Sequence, residues 1–399
     1  MKKLLLLAVF ALTLTSCHVG RFFIWNFADI RDYKKFPKLP VPTTRGPFNF
    51  IATSDSKVKL PSDIKTKKHH YNFEEALKHT GTVAFLIIRN DTMLYEKYFS
   101  GYDQASIVPS FSAAKSVTSA LVGIAIDEGK IKSVQEPITN YLPELDKQKF
   151  GTITIEHLLD MRSGIRFNEG YLNPFGDVAK YYYGRNLKKY VGKLRIKEPP
   201  GKHFEYISVN TELLGMIVER ATARPLSQYL QEKIWQPLGM EYDASWSIDS
   251  RKHKEVKAFC CLNARARDFA RFGRLFLNNG NWDGKQIISK KWVQQSTTFN
   301  EPKNEFMYSY QWWHTRRIAY VPDTSTAVIS GLHIDKQIKA TDGNLIKVRV
   351  QPEEDFFADG LLGQYIYVYP AKKMVIVRLG KKAGKLEWGE LFRALAVNN

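Results

Sequence analysis

Strand-like sequence lies at the two ends of this chain, and helix-like sequence fills the length between them. Near the start, residues 83–88 (Val-Ala-Phe-Leu-Ile-Ile) and 93–99 are apolar runs of strand length. The polar tetrapeptide Arg89-Asn-Asp-Thr92 separates them as a hairpin turn would. Near the end, residues 364–369 and 374–378 flank Pro370-Ala-Lys-Lys373, a second hairpin signal. Between about 130 and 300 the pattern is mostly helical. Leu213, Leu214, Ile217, Val218 and Ala221 share one helix face, which stops before Pro225. Phe269, Phe272 and Phe276 share another, closed by Gly280. The economical architecture is α/β of the α+β kind: one antiparallel sheet built from both chain ends and flanked by helices. A helical insert subdomain, about 112–300, stands beside it. Short helices over 73–79 and about 387–396 cover the sheet, and a cleft is expected between sheet and insert.

Composition narrows the function. With 44% hydrophobic residues in 399, the chain has ample apolar surface to offset the entropy of ordering. The net charge of +19 favours anionic partners. Its lysines are scattered and no zinc-finger or RNP-like motif accompanies them, so nucleic acid is not the expected partner. Anionic envelope polymers or lipid are. Three cysteines are too few for a disulfide scaffold. Cys260 and Cys261 are neighbours, where a bridge is strained, and they are expected to be unbridged apolar residues near the core. No Cys-x-x-Cys or His-x-x-x-His spacing exists, so no metal site and no cofactor are expected.

The first residues read as a leader. Met1-Lys-Lys3 is basic, and residues 4–14 are an apolar run too short to span a bilayer. Leu14-Thr-Ser-Cys17 resembles the lipobox of bacterial lipoproteins. The domain reading is therefore a signal peptide over 1–16, lipidation at Cys17, a tether and N-terminal extension over 17–70, and the ordered domain over 71–399. Pro37, Pro40, Pro42 and Pro47 argue for the tether. The aromatic stretch 22–27 is expected to pack on the body. The resulting location is the cell envelope, with the chain held to a membrane by its N-terminal lipid.

The chemistry centres on Ser112-Ala-Ala-Lys115, an S-x-x-K match at the head of a helix expected over 112–128, with Gly129 at its C-cap. Positions i and i+3 share a helix face, so the Lys115 amine lies near the Ser112 hydroxyl. A serine hydroxyl needs a base beside it to attack at neutral pH, and a lysine serves once burial lowers its pKa. Ser54-Asp-Ser-Lys57 and Ser62-Asp-Ile-Lys65 match the same pattern, but both lie in polar sequence with no helix to align them.

The segment from Ser110 to Lys130 resembles the nucleophile helix of the serine β-lactamase and penicillin-binding-protein superfamily, in the branch of class C β-lactamases, DD-peptidases, esterases and nylon-oligomer hydrolases. Similar blocks follow in order: His157-Leu-Leu with Ser163-Gly164, Pro200-Gly-Lys-His-Phe-Glu-Tyr206, Trp235-Gln-Pro-Leu-Gly-Met240, and Gly360-Leu-Leu-Gly-Gln364. The resemblance implies a β-lactamase/transpeptidase-like fold and a serine hydrolase working through an acyl-enzyme. It assigns Ser112 as nucleophile, Lys115 and Tyr206 as general base and acid, and the backbone N–H groups of Ser112 and Leu361 as the oxyanion hole. It also points to Tyr171, Ser208, Gly360, Gly363 and Gln364 as substrate-facing. Two departures matter. Ser208 stands where the Y-x-N motif has Asn, and Ala358-Asp-Gly360 stands where a K/H-T-G motif begins with a cation. The substrates implied are small esters, amides or peptides. The competing readings are a catalytically retired binding or sensor lipoprotein, and a peptidoglycan DD-peptidase or β-lactamase.

Replacing Cys17 with Ala should release the protein from salt-washed membranes, where only the lipid anchor would hold it, or block its maturation. A variant that fractionates and migrates like wild type would end the lipoprotein reading.

Overall fold

The computed structural model describes residues 18–25, 27–44, 46–53, 58–65, 69–298, 307–320, 334–339 and 345–399, with the backbone alone over 316–320, 334–339 and 345–352. The leader, Cys17, Ser54 and Lys57 lie outside the described residues.

In chain order the elements that matter are helix α1 (His18–Trp25), strand β1 (Lys38–Val41), α2 (Phe73–His79), β2 (Thr82–Arg89) and β3 (Thr92–Tyr98). Then come α3 (Ala114–Asp127), α4 (Asp177–Tyr183), α5 (Ser208–Thr222), β4 (Ala244–Ser247), β5 (Leu262–Ala264), α6 (Ala266–Leu277) and α7 (Lys290–Thr297). The chain closes with β6 (Trp312–Tyr320), β7 (Leu345–Gly360), β8 (Gln364–Tyr369), β9 (Met374–Gly380) and α8 (Trp388–Asn398).

The main sheet joins the two chain ends as expected. Its central order is β6-β7-β8-β9-β2-β3, antiparallel throughout, and β9 carries the long-range contact, pairing Ile376 with Ile87 and Val377 with Leu86. Both hairpins form where the turn residues place them. Asn90 and Asp91 take φ of 52° and 61°, the left-handed pair a tight hairpin turn needs, and Lys373 closes the second turn at 48°. Alternation then sorts the side chains. Phe85 and Ile87 face α2 and α8, packing with Phe73, Leu77 and Phe392. Leu86 and Ile88 face the insert and join the larger core with Val117, Leu121 and Phe272. α2 begins with a capping box in which Asn72 and Glu75 satisfy each other's backbone N–H groups.

The extension differs from a tether. α1 packs on α4, with Phe22 buried and edge-on to Tyr183 at 5.4 Å, while Arg21 donates to the Tyr183 carbonyl at 2.6 Å. Phe23 and Ile24 stay exposed, so the packing expected for the 22–27 stretch holds for one side of it. β1 pairs antiparallel with β4 at the edge of a separate four-stranded sheet, Pro40 lying opposite Ser245. An edge strand tolerates proline because one side of it needs no ladder hydrogen bonds. Pro40 is compatible with a strand at this edge, so it does not act as a breaker.

Two further corrections concern local structure. Ser112 does not sit in the α-helix: Phe111–Ala113 is a 3₁₀ turn, and α3 begins at Ala114. Cys260 and Cys261 are bonded to each other, not free. Both are buried, as expected.

α3 is buried on every side from Ala114 to Ala125, so the chemistry it carries rests on a rigid axis. At Gly123 a Cβ would come within 2.5 Å of the Trp292 ring of α7. Gly123→Ala should therefore destabilise the protein by about 1–3 kcal/mol, the usual cost of overpacking. A thermal melt equal to or above wild type would show that α7 has room to move.

Candidate active site

The nucleophile candidate is set by a kink. Phe111 takes a φ of 45°, which a residue bearing a Cβ adopts only under constraint, and the chain turns there from a short strand into the 3₁₀ turn. On one side the Ser110 N–H donates to the Leu262 carbonyl at 2.8 Å, tying the kink to β5. On the other, Gly360 at the end of β7 presses in so closely that a Cβ there would lie 2.2 Å from the Ser110 carbonyl oxygen. Only glycine permits that approach, which brings the sheet edge alongside Ser112.

Lys115 lies one turn on. Its ammonium nitrogen reaches Ser112 Oγ at 3.0 Å, Ser208 Oγ at 3.3 Å and the Phe259 carbonyl at 2.9 Å. The residue is 1% exposed. Burial lowers its pKa, while the Glu169, Asp359 and Glu212 carboxyls raise it; burial wins, and the amine falls to about 8. Burial likewise raises the Tyr206 phenol, and a hydrogen bond with Ser112 only partly opposes this, so Tyr206 is a neutral O–H at physiological pH. Its ring lies 5.1 Å from the Lys115 nitrogen and stacks on Trp313, with centroids 5.6 Å apart. Tyr206, distant in sequence, thus joins Ser112 and Lys115 in one hydrogen-bonded group.

Ser62 is exposed beside a short strand and lies apart from this group. Ser208, first residue of α5, is held by a carboxylate. Glu169 accepts from the Ser208 N–H at 2.8 Å and from Ser208 Oγ at 2.6 Å, and it also takes the Tyr171 hydroxyl at 2.8 Å. Tyr171 and Ser208 therefore reach the site as a pair joined through Glu169. Leu361 lines the same pocket as Ser112, Tyr171 and Ser208, a largely apolar cavity of about 210 Å³ whose wall includes Val178, Phe259 and Cys260.

Gly363 and Gln364 have other work. Gly363 takes a φ of 79° in the turn between β7 and β8, where its carbonyl accepts from Arg378. Gln364 is buried; its amide donates to the carbonyls of Leu361 and Gly380 and accepts from the Gly380 N–H. Both shape the loop that presents Leu361 and do not face the pocket lining. Trp312 is core, and Trp313 alone of that pair touches the site.

Two site groups escaped the sequence reading. Glu169 sits two residues before Tyr171, in the same loop. Asp359 occupies the motif position after Ala358, is raised to about 7 by burial despite a hydrogen bond with Tyr365, and faces Lys115. Among the described residues no cluster of three or more His, Cys, Asp or Glu is arranged to hold a metal ion.

A sheet from both chain ends, a helical insert and a serine–lysine pair at their junction define the β-lactamase/transpeptidase-like fold. The chain belongs to the β-lactamase family, whose pattern matches residues 72–396. It is 28% identical to the 6-aminohexanoate-dimer hydrolase of Paenarthrobacter ureafaciens over 310 residues, 71% of this chain and 76% of that one. Among solved structures, a candidate 6-aminohexanoate-dimer hydrolase from Bacillus anthracis superposes with a TM-score of 0.71 at 25% identity, covering 94% of this chain and 93% of the other. A penicillin-binding protein from Bacillus halodurans shares the fold at a TM-score of 0.56 and 16% identity, over 81% of this chain and 99% of that one.

A lysine that titrates near 8 gives a testable profile. Labelling of Ser112 by an uncharged fluorophosphonate should rise as pH passes through about 8, because the neutral amine is the form that accepts a proton. Glu169 holds the pKa up, so Glu169→Gln should move the midpoint to lower pH. A flat profile, or a midpoint that moves up, would contradict the assignment.

Proposed function

We propose that this protein is a serine hydrolase that cleaves ester or amide bonds through an acyl-enzyme. Ser112 Oγ attacks the carbonyl carbon and passes its proton to neutral Lys115. The backbone N–H groups of Ser112 and Leu361 stabilise the oxyanion, each such donor being worth about 2.7–4 kcal/mol in the transition state. Tyr206, a neutral phenol in contact with Ser112, relays the proton to the leaving group as the tetrahedral intermediate collapses. Water then enters, Lys115 and Tyr206 repeat the relay in reverse, and the acid product leaves.

The observation that carries this reading is the 3.0 Å contact between Ser112 Oγ and a lysine amine that is buried and lowered to about 8. A retired binding or sensor protein has no use for a desolvated, lowered lysine beside a serine, and desolvating a cation is costly. The residues at the K/H-T-G position support uncharged acyl donors over β-lactams and anionic stem peptides. The position where the family's K/H-T-G motif carries its cation is Ala358, buried, and the next residue is Asp359, a carboxyl. The similarity to 6-aminohexanoate-dimer hydrolases favours linear amides and esters in the same way. The cell envelope, reached through lipidation of Cys17, is the proposed location.

Ser112→Ala should abolish covalent labelling. Lys115→Ala and Tyr206→Phe should each slow acylation by about 10²–10⁴-fold with thermal melts preserved. The double variant should be little worse than either single, since groups that act as a unit lose most of the rate together. Penicillins should turn over slowly against short esters and amides. Normal acylation by Lys115→Ala, a label on Ser62, or fast penicillin turnover with esters untouched would each refute the proposal.

A further inference from the structure

Eight large hydrophobic residues are exposed among the described residues, and six of them come from two short segments. Phe23, Ile24 and Phe27 belong to α1 and the turn after it; Tyr171, Leu172 and Phe175 belong to the loop before α4. The two segments meet at one place. Phe27, Tyr171 and Leu172 all line the pocket that holds Ser112, and Phe22 touches both Phe23 and Phe27 edge-on, with centroids 5.6 and 5.1 Å away. Leu172 is 80% exposed and Phe175 73%. Their exposure cannot come from poor anchoring. α1 is fixed by the buried Phe22 and by Arg21 on Tyr183, and Leu172 follows a tyrosine held by Glu169.

The opposite flank of α1 is basic. A second, open groove begins at Arg21, Trp25 and Tyr183, the last of which also lines the Ser112 pocket. Its wall carries the exposed cations Lys34, Arg185, Arg251 and Lys252 against a single carboxylate, Asp249, which is buried and accepts from the Leu187 and Ser250 N–H groups. An apolar rim beside a cationic groove, with a short helix between them, matches the two layers of an anionic bilayer surface: acyl chains for the rim and phosphate headgroups for the groove.

We propose that this face docks on an anionic lipid membrane, so that the Ser112 cleft opens directly onto the bilayer and takes acyl donors with long apolar chains from it. The docking stands on the surface alone. The substrate class also rests on the hydrolase reading above. Charge complementarity selects the membrane over a second copy of this chain, because two such basic grooves would repel each other. The arrangement gives α1 a purpose that packing alone does not, since Phe23 and Ile24 of the helix and Phe27 in the turn beyond it stay exposed.

The test separates docking from catalysis. The full chain bearing Cys17→Ala, so that no acyl group is attached, and Ser112→Ala, so that no turnover occurs, is mixed with vesicles of phosphatidylcholine, with or without phosphatidylglycerol. Hydrogen exchange is followed by mass spectrometry. With anionic vesicles, peptides spanning 18–29 and 170–177 should gain protection. Phe23→Ser/Ile24→Ser/Phe175→Ser and, separately, Arg251→Glu/Lys252→Glu should each reduce that protection and weaken vesicle co-sedimentation by roughly tenfold or more. In an active background the same variants should hydrolyse a soluble short-chain ester at the wild-type rate but lose hydrolysis of a long-chain ester carried in vesicles. Protection confined to residues 1–17, equal binding to neutral vesicles, unaltered binding by either variant, or protection that appears without vesicles as concentration rises would overturn the docking face. Loss of the soluble ester rate with docking intact would strike the hydrolase reading instead.

Discussion

The site depends on keeping a lysine amine out of water. Moving an ammonium from solvent into a protein interior costs several kcal/mol even after relaxation, unless partners replace its hydration. Lys115 has three such partners, Ser112 Oγ, Ser208 Oγ and the Phe259 carbonyl, and three carboxyls at longer range. The balance is deliberate in its consequence. Enough neighbours surround the amine that it can be buried, yet too little charge lies in contact for it to stay a firm cation. A direct carboxylate partner would pin it protonated and disable it for the proposed role of base. Glu169 instead grips Ser208, and so reaches the lysine through an intervening hydroxyl.

Most of the surrounding fold can be read as support for that geometry. α3 is buried all round and holds Lys115 on its first turn. β7 ends at Gly360, whose missing side chain lets the sheet edge touch the Ser110 carbonyl, and Gln364 and Arg378 then brace the loop bearing Leu361. From the insert side, the Phe259 carbonyl is set by a segment whose next residue, Cys260, is bonded to Cys261. The Trp246 indole N–H donates to the carbonyls of Lys257 and Cys260, at 3.1 and 2.7 Å. Sheet and insert each contribute one wall, and neither contains a complete site.

The parts of this legible in sequence are those fixed by local rules. Two hairpins followed from turn residues that accept positive φ and from runs of the right length, and their union into one sheet followed from economy of pairing. Ser112 and Lys115 were legible because i and i+3 must share a face, and that remains true although the turn there is 3₁₀. Pro40 was misread because its tolerance depends on being at a sheet edge, a tertiary fact. The Cys260–Cys261 bond was misread because a general strain argument ignores what a particular loop imposes; Cys261 already takes a φ of 69°. Glu169 and Asp359 were invisible for a third reason. A carboxyl acquires meaning from its burial and its neighbours, and sequence carries neither.

Asp359 bears on what the site can accept. At its raised pKa of about 7 it is split between neutral and charged forms at physiological pH, and it faces Lys115, the proposed base. An incoming carboxylate would add a second negative charge in the same low-dielectric space, where like charges repel strongly and no cation at position 358 offsets them. The pair would respond by holding a proton on Asp359 or on Lys115, and a proton on Lys115 removes the base. An uncharged acyl donor imposes no such choice. It would leave Lys115 neutral at mildly alkaline pH, in a pocket whose wall includes Val178, Phe259 and Leu361 beside Ser112, the proposed nucleophile. In the proposed reaction, selection against anionic substrates would therefore operate through the protonation states of Asp359 and Lys115 as well as through contact.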